Sequence, residues 1–299
     1  MASIGVVSVN YMAQRELCRC LASLKQHCGH TLHFIVVDNS PAPEIEAIAQ
    51  AHPDITAIVP GTNTGFAGGC NLGITHALEL GLDYILLLNP DTWTEHDFVG
   101  ILLGKMTRNP HLGMVGPKIM RAARNGQEGA VWYGGARMNW WKGGPSQIMD
   151  SRHDGDGPAL SVPCLSGCAM LIRAAAIRTV GMMDERYFLY YEDTDYCQRF
   201  LAKGFSLAYV PAARLIHDVS STVGFQSRDY VYYFSRNRVW FMRRWARWYQ
   251  YLVFMAFNTL VKLPGAVIIF GLTRRRADLV FAYWKGYWHG VFDHRISAK

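Results

Sequence analysis

Four short apolar runs decide what the first ninety residues can become. They are IGVVSVN (4–10), HFIVVDN (33–39), ITAIVP (55–60) and YILLLN (84–89). Their near-continuous apolar character suits strands buried on both faces, which need helices above and below the sheet. The segments between them are helical by periodicity or by position: QRELCRCLASLKQ (14–26), PEIEAIAQA (43–51), roughly 66–80 after the turn GTNTG, and roughly 95–107. Such alternation predicts an α/β fold with a mostly parallel central sheet flanked by helices.

Beyond residue 110 the pattern loosens. Residues 120–160 are Gly-rich and irregular around WYGGARMNWWKGG, which reads as a loop or flap over a site. Strand signals return at 161–172 (SVPCLSGCAMLI) and 205–210 (FSLAYV), with a helix at 192–203 between them. From about 226 long helices rich in Trp, Tyr, Phe and Arg take over, so a boundary is expected between 1–225 and 226–299. The most apolar stretch, WYQYLVFMAFNTLVKLPGAVIIFGL (248–272), is interrupted by Gln250, Asn258, Lys262 and Pro264. It holds no charge-free run of the roughly 18 residues that a transmembrane reading asks for. It reads as an amphipathic, membrane-surface region with aromatic and Arg side chains at headgroup level. A packed C-terminal helical subdomain is the alternative.

Charge supports an anionic partner for that tail. The chain carries +7, and from Tyr230 onward there are twelve Lys and Arg against two Asp. Lipid, phosphate and nucleic acid all fit such a balance. The opening MASIGVVSVN lacks the basic n-region of a signal peptide and reads as a strand. The seven cysteines share no spacing and read as reduced cytosolic thiols. Cys18 and Cys20 face different ways on one helix, and His27, His30 and His33 read as loop histidines entering a strand.

Four places carry candidate chemistry. Asp38 and Asn39 end an apolar strand, where open α/β sheets bind ligands. Asp38 either accepts from a base or ribose, or caps the next turn. GTNTGFAGGCNLGI (61–74) has glycines that let backbone approach a ligand, with a helix N-terminus behind them for a phosphate. Close helix–strand packing explains the same glycines. LLLNPDTW (86–93) presents Asp91 after a proline turn, either to a divalent cation or as a helix cap. Finally, YFLYYEDTD (187–195) runs four aromatics into Glu192, Asp193 and Asp195. Acids in a helix's first turn suit the dipole. The aromatics before them suggest a sugar platform and a dry setting for a base.

VVSVNY, VVDNS, NTGFAGGCNLG, LLNPD, SGCAMLIR, VGMMDERYFLYYEDTDYCQR and PAARLIH occur in that order. Together they resemble the family-2 inverting glycosyltransferases of GT-A fold, in the rhamnosyltransferase-like branch. The resemblance covers about residues 3–220. It implies transfer of a sugar from a nucleoside-diphosphate donor to a glycan or lipid-linked acceptor, with Mg2+ or Mn2+ as cofactor. It implies Asp193 as the base and Glu192 as its support. Asp91 matches the last acid of a D-x-D motif that here reads Asn89-Pro90-Asp91, one carboxylate short, and His217 matches a position that completes the metal site. Asp38 matches the nucleobase-contacting acid, and Asn39 lies beside it. Asn63, Gly65, Asn71 and Asn89 fall on the donor side. Gly167 allows close approach, and Arg199 either orients the acids or touches the diphosphate. Trp132, Tyr133, Trp140 and Trp141 either stack on acceptor sugars or form an aromatic cluster. The implied donor is dTDP-rhamnose, with galactofuranosyl or other UDP-sugar transfer as the alternative. The implied setting is bacterial surface-polysaccharide synthesis on the cytoplasmic face of the membrane, held there by the C-terminal helices. RRWARWYQY and TRRRA would be the marks of a nucleic-acid binder, but no nucleic-acid motif accompanies them, so no nucleic-acid partner is expected. A catalytically silent relative is disfavoured by the joint presence of Asp38, Asp91, Asp193 and His217.

Overall fold

A computed structural model describes residues 2–43, 48, 54–123, 128–148, 157–218 and 227–293. The helix expected at 43–51 lies largely outside those residues. Strands β1 (Ile4–Asn10), β2 (Leu32–Asp38), β3 (Ile55–Ile58) and β4 (Tyr84–Leu88) pair in parallel, in the order β4-β1-β2-β3. All five β4 residues are buried, as the continuous apolar run requires. Helices α1 (Gln14–His27) and α2 (Gly65–Glu79) cover this half. Helix α2 lies unusually close to β1. A Cβ on Gly73 would stand 2.3 Å from Val7 Cγ1, and one on Gly69 2.7 Å from Val9 Cγ1. These two glycines therefore serve helix–strand packing.

After the two-residue strand β5 (Thr92–Trp93) and helix α3 (Phe98–Arg108), the sheet continues through β6 (Leu112–Ala122) and β7 (Glu128–Tyr133). A separate hairpin follows, β8 (Ala136–Asn139) and β9 (Gly144–Gln147). The irregular flap expected over 120–160 is thus replaced, in its described part, by antiparallel strands. Gly134, Gly135 and Gly143 sit at turns between strands too short to show a period. The strand signals expected over 161–172 fall in two short strands, β10 (Leu160–Ser161) and β11 (Ala169–Arg173). The intervening turn is what carries Gly167 to the site. β11 runs antiparallel between β4 and β6, and β12 (Ser206–His217) runs parallel to β6. The sheet is therefore mixed, with its longest parallel block at β4-β1-β2-β3.

Helices α4 (Ala174–Val180) and α5 (Glu192–Ala202) complete the α/β part. Then come α6 (Arg228–Trp245), α7 (Trp248–Thr273) and α8 (Ala277–Phe292). Helix α7 passes through two π-helical stretches, Asn258–Lys262 and Val267–Thr273. α6 and α8 cross at close range: a Cβ on Gly286 would stand 2.3 Å from Tyr232 O. Arg243 locks the crossing by donating to the carbonyls of Gly290, Val291 and Asp293 at the end of α8. A cation is favoured there by the unpaired carbonyls of a helix C-terminus.

Candidate active site

The site gathers where the parallel strands end. β2 delivers Asp38 and Asn39, both buried. Asp38 Oδ1 accepts from Asn10 Nδ2 at 3.1 Å and from Ser40 N at 3.0 Å, so its carboxylate is fixed across the β1–β2 register. Asn39 acts on the next element. Its Nδ2 donates to Gly65 O at 2.9 Å, and its Oδ1 accepts from Thr64 Oγ1 at 3.1 Å. Asn63 Oδ1 accepts from Gly65 N at 2.8 Å. Asn39 and Asn63 thus shape the entry to α2.

That entry does not offer its N–H groups to a phosphate. Phe66 N donates to Phe188 O at 2.8 Å, and Ala67 N to the same oxygen at 3.4 Å. Gly65, at φ +74°, leaves no room for a Cβ, which would fall 2.4 Å from Phe188 O. Asn71 is likewise committed: its amide exchanges hydrogen bonds with Met183 O and N, both at 2.9 Å, and donates to Glu185 at 2.8 Å. The glycine-rich segment is therefore docked onto residues 183–188, and the helix-N-terminus expectation is corrected by that contact.

β4 and β12 bring the expected metal ligands together. Asp91 Oδ1 and His217 Nε2 stand 3.1 Å apart, and both side chains are nearly buried. The Trp132 ring packs edge-on against His217, with centroids 4.7 Å apart. Burial pushes the His217 imidazolium down, but the Cys168 thiol and Asp91 carboxylate outweigh it, and its pKa is raised to about 10. His217 Nδ1 is buried without a hydrogen-bond partner of good geometry among the described residues. A carboxylate oxygen and an imidazole nitrogen 3.1 Å apart fit a divalent cation that would replace the proton they now share, its other ligands coming from a diphosphate. Asn89 lies at the same turn, its N–H bonded to Cys168 O at 2.8 Å.

The candidate base Asp193 is tied to that turn through Gly167, the neighbour of Cys168. Gly167 N donates to Asp193 Oδ2 at 2.8 Å. Asp193 Oδ1 accepts from Thr194 N at 2.6 Å and Thr194 Oγ1 at 3.1 Å. The dipeptide Gly167–Cys168 therefore touches both acid centres: its first residue holds Asp193, and its second holds Asn89 and faces His217. Burial raises the Asp193 pKa against those hydrogen bonds. Glu192 is 5% exposed, and its Oε2 has no hydrogen-bond partner among the described residues. Burial, then the neighbouring Asp193 charge, holds its carboxyl well above the usual range. Two adjacent acids pushed upward in a cleft match the demands of a base at neutral pH.

Arg199 does not reach this cleft. Its Nε donates to Asp195 Oδ2 at 3.1 Å and its guanidinium to Met182 O. It braces the acidic helix, the first of the two roles expected. Asp195, which sequence alone left without a role, is fully buried. It also meets Arg244 at 3.3 Å and Trp245 Nε1 at 2.7 Å, both at the end of α6.

The four aromatics before Glu192 are not a sugar platform, since their rings face α6. Tyr187 meets Trp240, Phe188 stacks on Tyr233, Tyr190 meets Tyr230, and Tyr191 packs on Phe234 and Phe241. Trp140 stacks on Phe241 and Tyr133 is a core residue bonded to Cys164 O. Trp141 alone of the flap aromatics is exposed, tilted on Tyr249. The chain between Tyr187 and Glu192 is strained. Phe188, Tyr190 and Tyr191 have φ of 65°, 69° and 72°. With ψ −58° and a bond from Leu189 N to Tyr187 O, Phe188 centres a γ-turn. Non-glycine residues in this region each cost on the order of 1 kcal/mol or more, so surrounding contacts must hold them.

Residues 3–181 match the family model for glycosyl transferase family 2. The chain belongs to that family. This glycosyltransferase is 27% identical over 249 residues to the N-acetylglucosaminyl-diphospho-decaprenol L-rhamnosyltransferase of Mycobacterium tuberculosis, covering 74% of this chain and 78% of that protein. It is 26% identical over 222 residues to the dTDP-rhamnosyl transferase RfbF of Shigella flexneri, covering 73% and 70%. It also superposes on the crystal structure of GalNAc-T7 with UDP, GalNAc and Mn2+ at a TM-score of 0.69 and 14% identity. That match covers 98% of the glycosyltransferase and 56% of the larger chain, and it shows a shared GT-A-like fold.

Proposed function

We propose that this glycosyltransferase is an inverting rhamnosyltransferase that moves L-rhamnose from dTDP-rhamnose to a lipid-linked diphospho-sugar. The observation that carries the reading is the Gly167–Cys168 dipeptide, which sets a base candidate and a cation-binding pair on either side of one turn. A single inverting displacement needs a base at the acceptor hydroxyl and charge stabilisation at the departing diphosphate. Asp193 takes the proton, and the adjacent Glu192 supports it, burial raising the pKa of both. Asp91 and His217 would hold Mg2+ or Mn2+, which supplies Lewis-acid stabilisation of the diphosphate when bound. Asp38 faces the nucleoside end. The donor assignment leans on the two rhamnosyl-transferring relatives. A galactofuranosyl reading has support in GlfT1 of Mycolicibacterium smegmatis, 27% identical over 197 residues.

Calorimetric titration with dTDP-rhamnose, UDP-galactofuranose and UDP-glucose, each with and without Mn2+, tests this. dTDP-rhamnose should bind most tightly, and Asp91→Ala should remove the metal-dependent part. Preference for a UDP-sugar would move the donor. Metal-independent binding of every donor would sink the two-residue cation site.

The C-terminal region supports a membrane-surface location. Helix α7 has 26 residues, and its most apolar 18-residue window has a mean hydropathy of 1.9 with only 22% of it buried. By length and composition it is also able to cross a bilayer. Leu252, Leu260, Val261, Ile268, Ile269 and Leu272 are exposed, and exposed Arg274 and Arg275 lie just beyond. Apolar side chains beside arginines suit an anionic bilayer surface, where each cation adds about 1 kcal/mol. Several tail arginines are spent inside the protein on Asp184, Asp195 and backbone carbonyls, which weakens a nucleic-acid reading. Removing everything after residue 245 would strip α8 from α6. A cleaner test is the Leu260→Glu, Leu272→Glu, Arg274→Glu variant, which should lose co-sedimentation with anionic liposomes. Undiminished co-sedimentation would argue against the surface.

A further inference from the structure

Nothing in the catalytic chemistry explains why three left-handed aromatic residues stand directly before Glu192. The contacts that hold them come from α6, some fifty residues downstream. Asn237 is fully buried, and its Nδ2 donates to Tyr187 O at 2.8 Å, Leu189 O at 2.8 Å and Tyr190 O at 2.7 Å. Arg236 Nε donates to Asn237 Oδ1 at 2.8 Å, which fixes the amide with its NH2 group towards the turn. Arg236 Nη2 adds bonds to Tyr187 O at 2.9 Å and Arg186 O at 3.2 Å. Four successive carbonyls are thereby held by Asn237, Arg236 and the start of α2. Those of Tyr187, Leu189 and Tyr190 belong to Asn237, while that of Phe188 belongs to the start of α2.

We infer that Asn237, oriented by Arg236, is a positioning residue for catalysis. It holds the 187–191 turn in its left-handed form and so aims the Glu192–Asp193 pair at the acceptor while fixing the donor-side helix α2 to the same turn. The inference rests on Asp193 as the base. Its physical basis is that a left-handed aromatic reverts to extended or right-handed backbone unless its carbonyls are gathered on one side. Three carbonyls converge on one amide here, and Asp195 N bonds Tyr191 O, so a relaxed turn would rotate the first turn of α5. A rotation of that kind displaces a base without touching the nucleotide. Arg236 and Asn237 are adjacent, so a single short segment of α6 holds the turn that leads into both acids. The segment belongs to the region that carries the exposed apolar helix, which ties the geometry of the acids to the seating of the tail.

The test uses the full chain. In Asn237→Ala, hydrogen exchange should quicken at the amides of Leu189, Phe66 and Ala67, while β1 and β4 amides keep wild-type protection. With dTDP-rhamnose and N-acetylglucosaminyl-diphospho-decaprenol in liposomes, kcat should fall about 30- to 100-fold with donor KM nearly unchanged, as misplacing a reacting group does. Adding Tyr190→Gly, which relieves the left-handed strain, should restore at least about ten-fold of kcat although it removes an aromatic contact. A residue that served only global stability would not be rescued by losing that ring. Wild-type exchange at Leu189, Phe66 and Ala67 would overturn the inference, whichever sugar the enzyme uses. So would a fall in kcat that Tyr190→Gly deepens. Asp193→Asn separates the two readings: if it turns over normally the base assignment fails, whereas a dead Asp193→Asn beside a fully active Asn237→Ala defeats the positioning role alone.

Discussion

Asp193→Asn should lower kcat by about 10²- to 10⁴-fold, the usual worth of a positioned general base. Nucleotide-sugar affinity should hardly move, because the carboxylate's hydrogen bonds go to Gly167 and Thr194. The amide keeps an oxygen for one of those N–H donors and the same volume, so the fold survives while basicity is lost. The wild-type pH profile should carry the same signature. Burial raises the Asp193 pKa, and burial with Asp193's charge raises that of Glu192. A base works only when deprotonated, so activity must fall as pH drops through that raised value. The acid limb of kcat/KM should therefore lie clearly above the roughly 4 of a free carboxylate. Two interacting acids titrate as a pair, so the limb reports the pair and not one residue. Measuring kcat/KM between about pH 4 and 9 decides the matter. Normal turnover by Asp193→Asn would remove it as the base.

Much of the α/β part was legible because its signals are local. Each apolar run of the parallel block is followed within three residues by its polar end, so Asp38, Asn39 and Asp91 could be placed on one sheet edge without coordinates. The pairing of Asp91 with His217 was legible only through motif order, since 126 residues separate them and no spacing rule connects two strands of one sheet. The glycines at 69 and 73 illustrate the opposite case. Both a ligand approach and a tight helix contact need the absence of a Cβ, and only Val7 and Val9 beneath them show that packing uses it. The aromatics at 187–191 were misread for a similar reason. Rings beside acids suit a sugar equally as a second layer of rings, and the second layer lies on α6, beyond any local window. Asn237 gave no signal either: an Asn between two arginines on an amphipathic helix reads as solvent-facing until three carbonyls turn up against it.

The same long-range dependence makes Asp195→Ala the substitution expected to cost most stability. Asp195 is fully buried and neutralises Arg199 from its own helix and Arg244 from α6, while accepting from Trp245 Nε1. Burial, with a smaller push from the Asp184 charge, raises its pKa; the two arginines and the indole oppose that and favour the charged form. Deleting the carboxylate strands two guanidinium groups whose side chains are only 17% and 19% exposed. Losing one partner of a buried ion pair typically costs about 3–5 kcal/mol. Arg244 keeps Asp184 at 2.9 Å and Arg199 keeps the Met182 carbonyl, so the lower end of that range is expected. For a chain of this size that corresponds to a Tm lower by roughly 5 °C. Asp278→Ala, which breaks the solvent-exposed pair with Arg276, should leave Tm in place, since exposed pairs contribute little. Differential scanning calorimetry of the three proteins separates the cases. Equal melting of wild type and Asp195→Ala would mean that α6 is held by its aromatic face alone. The expected loss, accompanied by faster exchange at the Trp245 end of α6, would make Asp195 the electrostatic pin between the catalytic helix and the tail.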